Sequence, residues 1–285
     1  MKTGLLTTLA MLAFAANSLL CRWALGNQLI DPASFANLRV VSGAVLLAFL
    51  LSRRTRDHRV AAVNSRDWTA ALALAVYLLF FSFAYVSLQA GSGALILFGA
   101  VQLTMFAAAL YQGERFSVMS WVGFFLAISG LIYLLLPGLS APPIAGAMLM
   151  TLAGIGWGIY SLRGRGAVDS LRSTGQNFTL AVPLVMAVNL MFAGNALLTP
   201  AGIVLAICSG MFASALGYVV WYAALTQLRA MSAATVQLSV PVITALGGVL
   251  LLSEDLTLRL TASSVAILGG IAVVVMQRSN QLKDS

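Results

Sequence analysis

The chain is 285 residues long, 60% apolar and only 8% charged, with a formal net charge of +8 and a mean hydropathy of +0.96. A water-soluble domain carries about 25% charged residues, and a disordered chain is poor in the Ile, Leu, Val and Phe that abound here, so both classes are excluded. A polytopic membrane protein remains: a spanning helix needs about 20 apolar residues, and ten with short connections use nearly all 285 positions.

Apolar runs bounded by charge, Gly or Pro fall at 4–24, 33–52, 68–88, 92–111, 118–136, 144–162, 175–193, 201–225, 231–252 and 258–277. All are long enough for helices and none alternates with period 2 as a barrel strand does. The first run follows Lys2 and contains Ala13-Phe14-Ala15, which resembles a signal-peptide cleavage site. It continues past Ala15 behind a single Lys, so it is read as a span, and it carries Asn17 and Ser18 at mid-depth. The second opens at Pro32 and holds Arg39 about two turns inside. There Arg39 could meet a substrate carboxylate, or snorkel outward or bind helix-end carbonyls. The third offers Tyr77, Ser82 and Tyr85, and the fourth Phe98 and Gln102.

Gly154-Ile155-Gly156-Trp157-Gly158 in the sixth run has no preceding strand and no Walker lysine, so it reads as close helix packing through Gly154 and Gly158. Trp157 and Tyr160 add aromatic surface there, and Pro183 interrupts the seventh run. In the eighth, Ser214, Tyr218 and Trp221 follow i, i+4, i+7 and share a face. The ninth supplies Gln237, Ser239 and Pro241. Cys21 and Cys208 read as small apolar packing residues.

Thirteen Lys and Arg residues fall in the even-numbered connections and the two tails, against Arg22, Arg39 and Arg259 elsewhere. This positive-inside bias places both termini in the cytoplasm. The basic loop from Arg53 to Arg66 can also touch anionic lipid. Basic residues spread over five short segments do not make a nucleic-acid surface.

The chain repeats itself. Thr8-Leu9-Ala10, Phe14, Ser18-Leu19 and Arg22 return 143 residues later as Thr151-Leu152-Ala153, Trp157, Ser161-Leu162 and Arg165. At an offset of 140, Ala84, Leu88, Ala90, Ser92, Ala94, Thr104, Leu110, Glu114 and Gly130 meet identical residue types. Five spans per half force the second copy upside down, giving ten transmembrane helices as two inverted five-helix repeats, 1–137 and 144–278. Inverted repeats are the architecture of secondary transporters, with a midplane site between rocking halves.

Gly113-Glu114-Arg115-Phe116-Ser117 with Trp121-Val122-Gly123 and Gly130, and its counterpart Pro241, Ser253-Glu254-Asp255-Leu256-Thr257 and Gly270, resemble the EamA-type members of the drug/metabolite transporter superfamily. Trp157-Gly158 with Tyr160, Pro32 to Arg39, and Tyr218 with Trp221-Tyr222 extend the resemblance over nearly the whole chain. Within that family the chain is similar to the bacterial exporters of aromatic amino acids. The resemblance implies an inner-membrane secondary transporter whose spans 1, 3, 4, 6, 8 and 9 line the cavity. Two positions depart from the repeat: Val101 stands where Pro241 is matched, and Val40 where Pro183 is, so the halves should bend unequally.

The expected substrate-binding set is therefore Asn17, Tyr77, Ser82, Phe98, Gln102, Trp157, Ser214, Tyr218, Trp221, Gln237 and Ser239, with Pro183 and Pro241 as hinges. Rings would wall an aromatic side chain and amides and hydroxyls would bind its polar end. All eight acids fall in connections or at span ends and His58 lies in the basic loop. A proton relay needs such groups at membrane depth, so export of aromatic and other neutral amino acids is read as uncoupled. Glu114 and Glu254 read as helix caps with Ser117 and Thr257, and Arg22 and Arg165 as interface anchors. The competing readings are a broader metabolite or multidrug exporter, proton-coupled or not, and an intramembrane enzyme, for which no catalytic constellation stands in the spans. No metal or cofactor is expected. The partners are a small-molecule substrate and the bilayer, with monomer and homodimer both open.

Overall fold

The computed structural model describes residues 2–53, 65–113, 116–138, 141–164, 169–225, 228 and 236–281. Its helices are α1 (Lys2–Gly26), α2 (Pro32–Arg53), α3 (Ser65–Tyr85), α4 (Ala90–Tyr111), α5 (Val118–Leu135), α6 (Ile144–Gly164), α7 (Ser170–Met191), α8, α9 (Ser239–Leu252) and α10 (Leu258–Gln281). Helix α8 runs unbroken through Pro200–Cys208, a π-helical stretch Ser209–Leu216 and Gly217–Leu225. Eight of the ten are long and apolar enough to cross a membrane. Helix α7 is more polar, and α9 has 14 residues.

Two helices differ from the expected spans. Helix α7 begins at Ser170 rather than at 175, because the Asp169 carboxylate accepts from the backbone N–H groups of Leu171 and Arg172 at 3.1 and 3.2 Å. That cap satisfies orphan donors of the first turn and lets helix extend through the polar residues before the apolar run. Helix α9 begins at Ser239, after a turn at Leu238, and residues 231–235 of the expected span lie outside the described ones. Pro241 consequently stands in the first turn of α9, where its missing N–H has no intrahelical partner to lose. Pro183 is inside α7.

Helix neighbours obey the repeat. Counting α6 to α10 as the counterparts of α1 to α5, the contact of α3 with α6 is matched by that of α8 with α1. The contact of α4 with α6 is matched by α9 with α1, and that of α3 with α7 by α8 with α2. Helices α2 with α7, α4 with α9 and α5 with α10, counterparts in that numbering, pack directly against one another.

Small residues set the closest approaches, as expected where lipid gives no hydrophobic reason for helices to associate. A Cβ on Gly123 would lie 2.5 Å from the Gly270 carbonyl oxygen, and one on Gly270 2.4 Å from that of Gly123, which holds α5 against α10. Gly154 and Gly158 press α6 onto Ala100 and Thr104 of α4, as the sequence spacing suggested. Large apolar side chains such as Leu5, Phe125, Leu250 and Val265 stand exposed on the outside, a surface that only hydrocarbon solvates without penalty.

Candidate functional site

Where the two halves meet, α1, α3, α4, α6 and α8 converge on a cavity lined by Phe14, Asn17, Ser18, Tyr77, Phe81, Leu97, Phe98, Trp157 and Tyr218. Every one of these residues is more than nine-tenths buried. The open volume is ≈ 10 Å³, about what a single water needs, so the halves are closed onto one another.

Rings form the walls. Phe14 meets Trp157, Tyr218 and Trp221 edge to face at centroid separations of 5.7, 6.0 and 5.8 Å. Trp157 also touches Tyr77 at 5.0 Å and Tyr218 at 4.7 Å. Phe14 and Trp157, matched to one another by the 143-residue offset in the sequence, meet here edge to face. The Trp157 Nε1–H is buried with no acceptor.

Behind the Tyr77, Phe81 and Tyr218 rings lies Arg39, fully buried. Its Nε donates to Ser214 Oγ at 2.9 Å, and its Nη2 to the hydroxyls of Tyr77 at 3.0 Å and Tyr218 at 3.4 Å. The guanidinium carbon lies 5.2 and 4.9 Å from the Tyr77 and Phe81 ring centroids, within cation–π range. Its Nη1 has no hydrogen-bond partner, and no carboxylate among the described residues pairs with it. Arg39 thus neither snorkels nor binds helix-end carbonyls.

Asn17 joins this cation to the second half. Its amide Nδ2 donates to the Tyr77 hydroxyl at 3.0 Å, while its Oδ1 accepts from Ser209 Oγ at 2.7 Å and Ser214 Oγ at 3.5 Å. Both serines sit on the π-helical stretch of α8. An i→i+5 turn widens the helix and re-aims its side chains, a device common at functional sites. Gly210 on the same stretch admits the Arg39 carbonyl so closely that a Cβ there would collide with it.

Of the expected set, Asn17, Tyr77, Phe98, Trp157 and Tyr218 line the cavity and Ser214 is bonded to Arg39 and Asn17. Trp221 packs on Phe14 one layer out. Ser82 donates to the Leu78 carbonyl of its own helix at 2.9 Å, and Ser239 to that of Val236 at 2.7 Å. Gln102 and Gln237 are buried outside the lining, Gln102 with its Nε2 unpartnered. Ser18, Arg39, Phe14, Phe81, Leu97 and Ser209 complete the site beyond that set. A lone charge two turns inside a span signalled Arg39, and the repeat match to Trp157 signalled Phe14. Nothing in the sequence marked the π turn that presents Ser209.

A second cavity of ≈ 400 Å³ opens at the end of the bundle formed by the odd-numbered connections, lined by Arg22, Ser87, Gln89, Ser92, Pro143 and Asp255 among others. Beneath it, Arg22 Nε and Glu254 Oε1 form an ion pair at 2.9 Å. Glu254 Oε2 accepts from the Ala90 N–H at 2.7 Å, so this carboxylate caps α4 in the other half. Thr257 caps α10 without it, accepting from Leu260 N–H at 3.1 Å. The expected pairing of Glu254 with Thr257 is replaced by a tie between halves, because α4 starts within reach of the α9–α10 connection. Glu114 and Arg165 lie outside the described residues. Among the described residues no cluster of His, Cys, Asp and Glu could hold a metal.

The model of the EamA-like transporter family matches this chain twice, over residues 1–136 and 144–276. An uncharacterized protein of Pseudomonas aeruginosa is 52% identical over 277 residues, covering 97% of this chain and 96% of its own. The threonine/homoserine exporter RhtA of Salmonella typhimurium is 30% identical over 189 residues, 62% of this chain and 61% of its own. A solved structure superposes with a TM-score of 0.70 at 16% identity, covering 97% of this chain and 98% of that one, a likeness of fold.

Proposed function

Because the chain belongs to the EamA-like transporter family, we propose that it exports aromatic and other neutral amino acids by alternating access between its inverted halves, without proton coupling. One observation carries this reading: the ring-walled cavity with Arg39 and Asn17 behind it sits where equivalent helices of the two halves meet. Rings of cargo and wall would stack there, while the amide, hydroxyl and guanidinium donors take the polar end. Cargo needs more room than ≈ 10 Å³, so binding requires the halves to part at one end, and the Arg22–Glu254 tie is the contact that keeps one end shut. The uncoupled mechanism is supported by the site's composition, since no acid or histidine among the described residues faces the cavity. Lys and Arg in the even-numbered connections favour an inner-membrane orientation with cytoplasmic termini.

A wider substrate range is the second reading, favoured by the RhtA relative, which is named for threonine and homoserine. Uptake of labelled tryptophan, phenylalanine, threonine and alanine into proteoliposomes, with and without a pH gradient, separates the two. Saturable uptake of the aromatic pair that ignores the gradient supports the proposal. Preference for threonine supports the second reading, and strict dependence on the gradient refutes uncoupled transport.

A further inference from the structure

Apart from the Ser18 hydroxyl, which can both donate and accept, hydrogen-bonding capacity at the central site is one-sided. The Asn17 Oδ1 acceptor is taken up by Ser209 and Ser214, and the Tyr77 hydroxyl oxygen accepts from both Asn17 and Arg39. A hydroxyl oxygen has two acceptor sites, so Tyr77 has only its O–H left to give. Tyr218 likewise accepts from Arg39. Even if these two hydroxyls bond each other, one O–H stays available. The buried atoms left without partners here, Arg39 Nη1 and Trp157 Nε1, are both donors. Behind them stands a guanidinium that keeps its proton in any protein environment and has no carboxylate partner among the described residues.

We infer that the group this site recognises is a carboxylate, and that its preferred cargo is an aromatic monocarboxylate anion, with the zwitterionic aromatic amino acid bound second. This deepens the transporter reading and rests on it. An anionic cargo brings the site to net zero charge, whereas a zwitterionic amino acid leaves a net positive charge in a low-dielectric centre and an arylalkylamine adds a second cation. Uncompensated buried charge is costly, so affinity falls in that order. The ammonium of an amino acid also finds the Tyr77 and Phe81 faces already occupied by Arg39.

Direction follows from the same charge. A monoanion moving without protons is driven outward by an inside-negative potential, which sustains a gradient of about 50-fold per 100 mV, equivalent to about 2.3 kcal/mol per elementary charge. Export needs no coupling ion in that case.

The test uses the full chain, purified in detergent and titrated with 3-phenylpropionate, L-phenylalanine and phenethylamine, read by tryptophan fluorescence and thermal shift. The expected order is 3-phenylpropionate at or above phenylalanine, with phenethylamine at least 10-fold weaker. Arg39→Lys, which keeps the charge but loses the planar fork, should weaken both carboxylates about 10-fold. If that variant does not fold, the wild-type order decides alone. In proteoliposomes, loss of preloaded 3-phenylpropionate beyond that of protein-free vesicles should speed up when a potassium diffusion potential makes the lumen negative. Phenethylamine binding as tightly as 3-phenylpropionate overturns the inference. Phenylalanine binding more tightly than 3-phenylpropionate overturns it and leaves the amino-acid exporter standing. Binding by none of the three overturns both.

Discussion

Glu254→Gln should open the end of the molecule that the Arg22–Glu254 pair closes. The carboxylate holds two donors from the first half, Arg22 Nε at 2.9 Å and Ala90 N–H at 2.7 Å. Side-chain exposures of 22% and 10% leave the pair shielded from water. A hydrogen bond to a charged group contributes about 1.5–3 kcal/mol. Gln keeps one carbonyl acceptor and loses the charge, so about one such bond is lost, and at about 1.4 kcal/mol per factor of ten the open population rises by at least about 10-fold. Arg22 retains the Tyr85 and Val86 carbonyls at 3.3 and 3.4 Å, which keeps α1 in register and confines the effect to the closure. Cys21, fully buried beside Arg22, is a native reporter. In a Cys208→Ala background, an impermeant maleimide should label Cys21 about 10-fold faster in the Gln variant, at unchanged helix content. Equal labelling rates would refute the assignment of this ion pair as a closure.

Gly123→Ala places a Cβ 2.5 Å from the Gly270 carbonyl oxygen; overpacking of this kind costs about 1–3 kcal/mol, and a lowered Tm by fluorescence-detected thermal unfolding checks it. Asn17→Leu strands the Ser209 hydroxyl and removes a donor from Tyr77, so phenylalanine uptake should fall at least about 10-fold while the purified variant stays monodisperse. Ser82→Ala should leave uptake within about twofold of wild type, because that hydroxyl is turned onto its own helix; a large loss would put Ser82 in the site. Ser214→Ala frees Arg39 Nε and should weaken carboxylate binding about 5-fold, as measured by fluorescence titration.

Long apolar runs made the helices legible, since a bilayer leaves the backbone no other way to satisfy itself. The repeat matched Phe14 to Trp157 without saying that the two would pack together, which only the structure shows. Helix starts set by a polar cap were less legible: Asp169 pulled α7 back to Ser170, a local signal that hydropathy does not carry. Depth in a span was enough to single out Asn17 and Trp157, both of which line the central cavity. Arg39 was visible but ambiguous, because a long side chain two turns from a helix end can reach either water or the centre. Its destination depended on Ser214 and Tyr218, about 175 residues away, and on a π turn with no sequence mark. Ser82 shows the converse: a hydroxyl at the right depth satisfied by its own helix.

Cargo bound between the halves should lie against Trp157. Counterflow of labelled phenylalanine in proteoliposomes holding wild type or Trp157→Phe tests it most directly. Wild type should give saturable counterflow, indifferent to a pH gradient, and the variant, which keeps a ring but loses the Nε1–H donor, a several-fold higher KM. Unchanged KM in Trp157→Phe, or counterflow that appears only with a pH gradient, would contradict it.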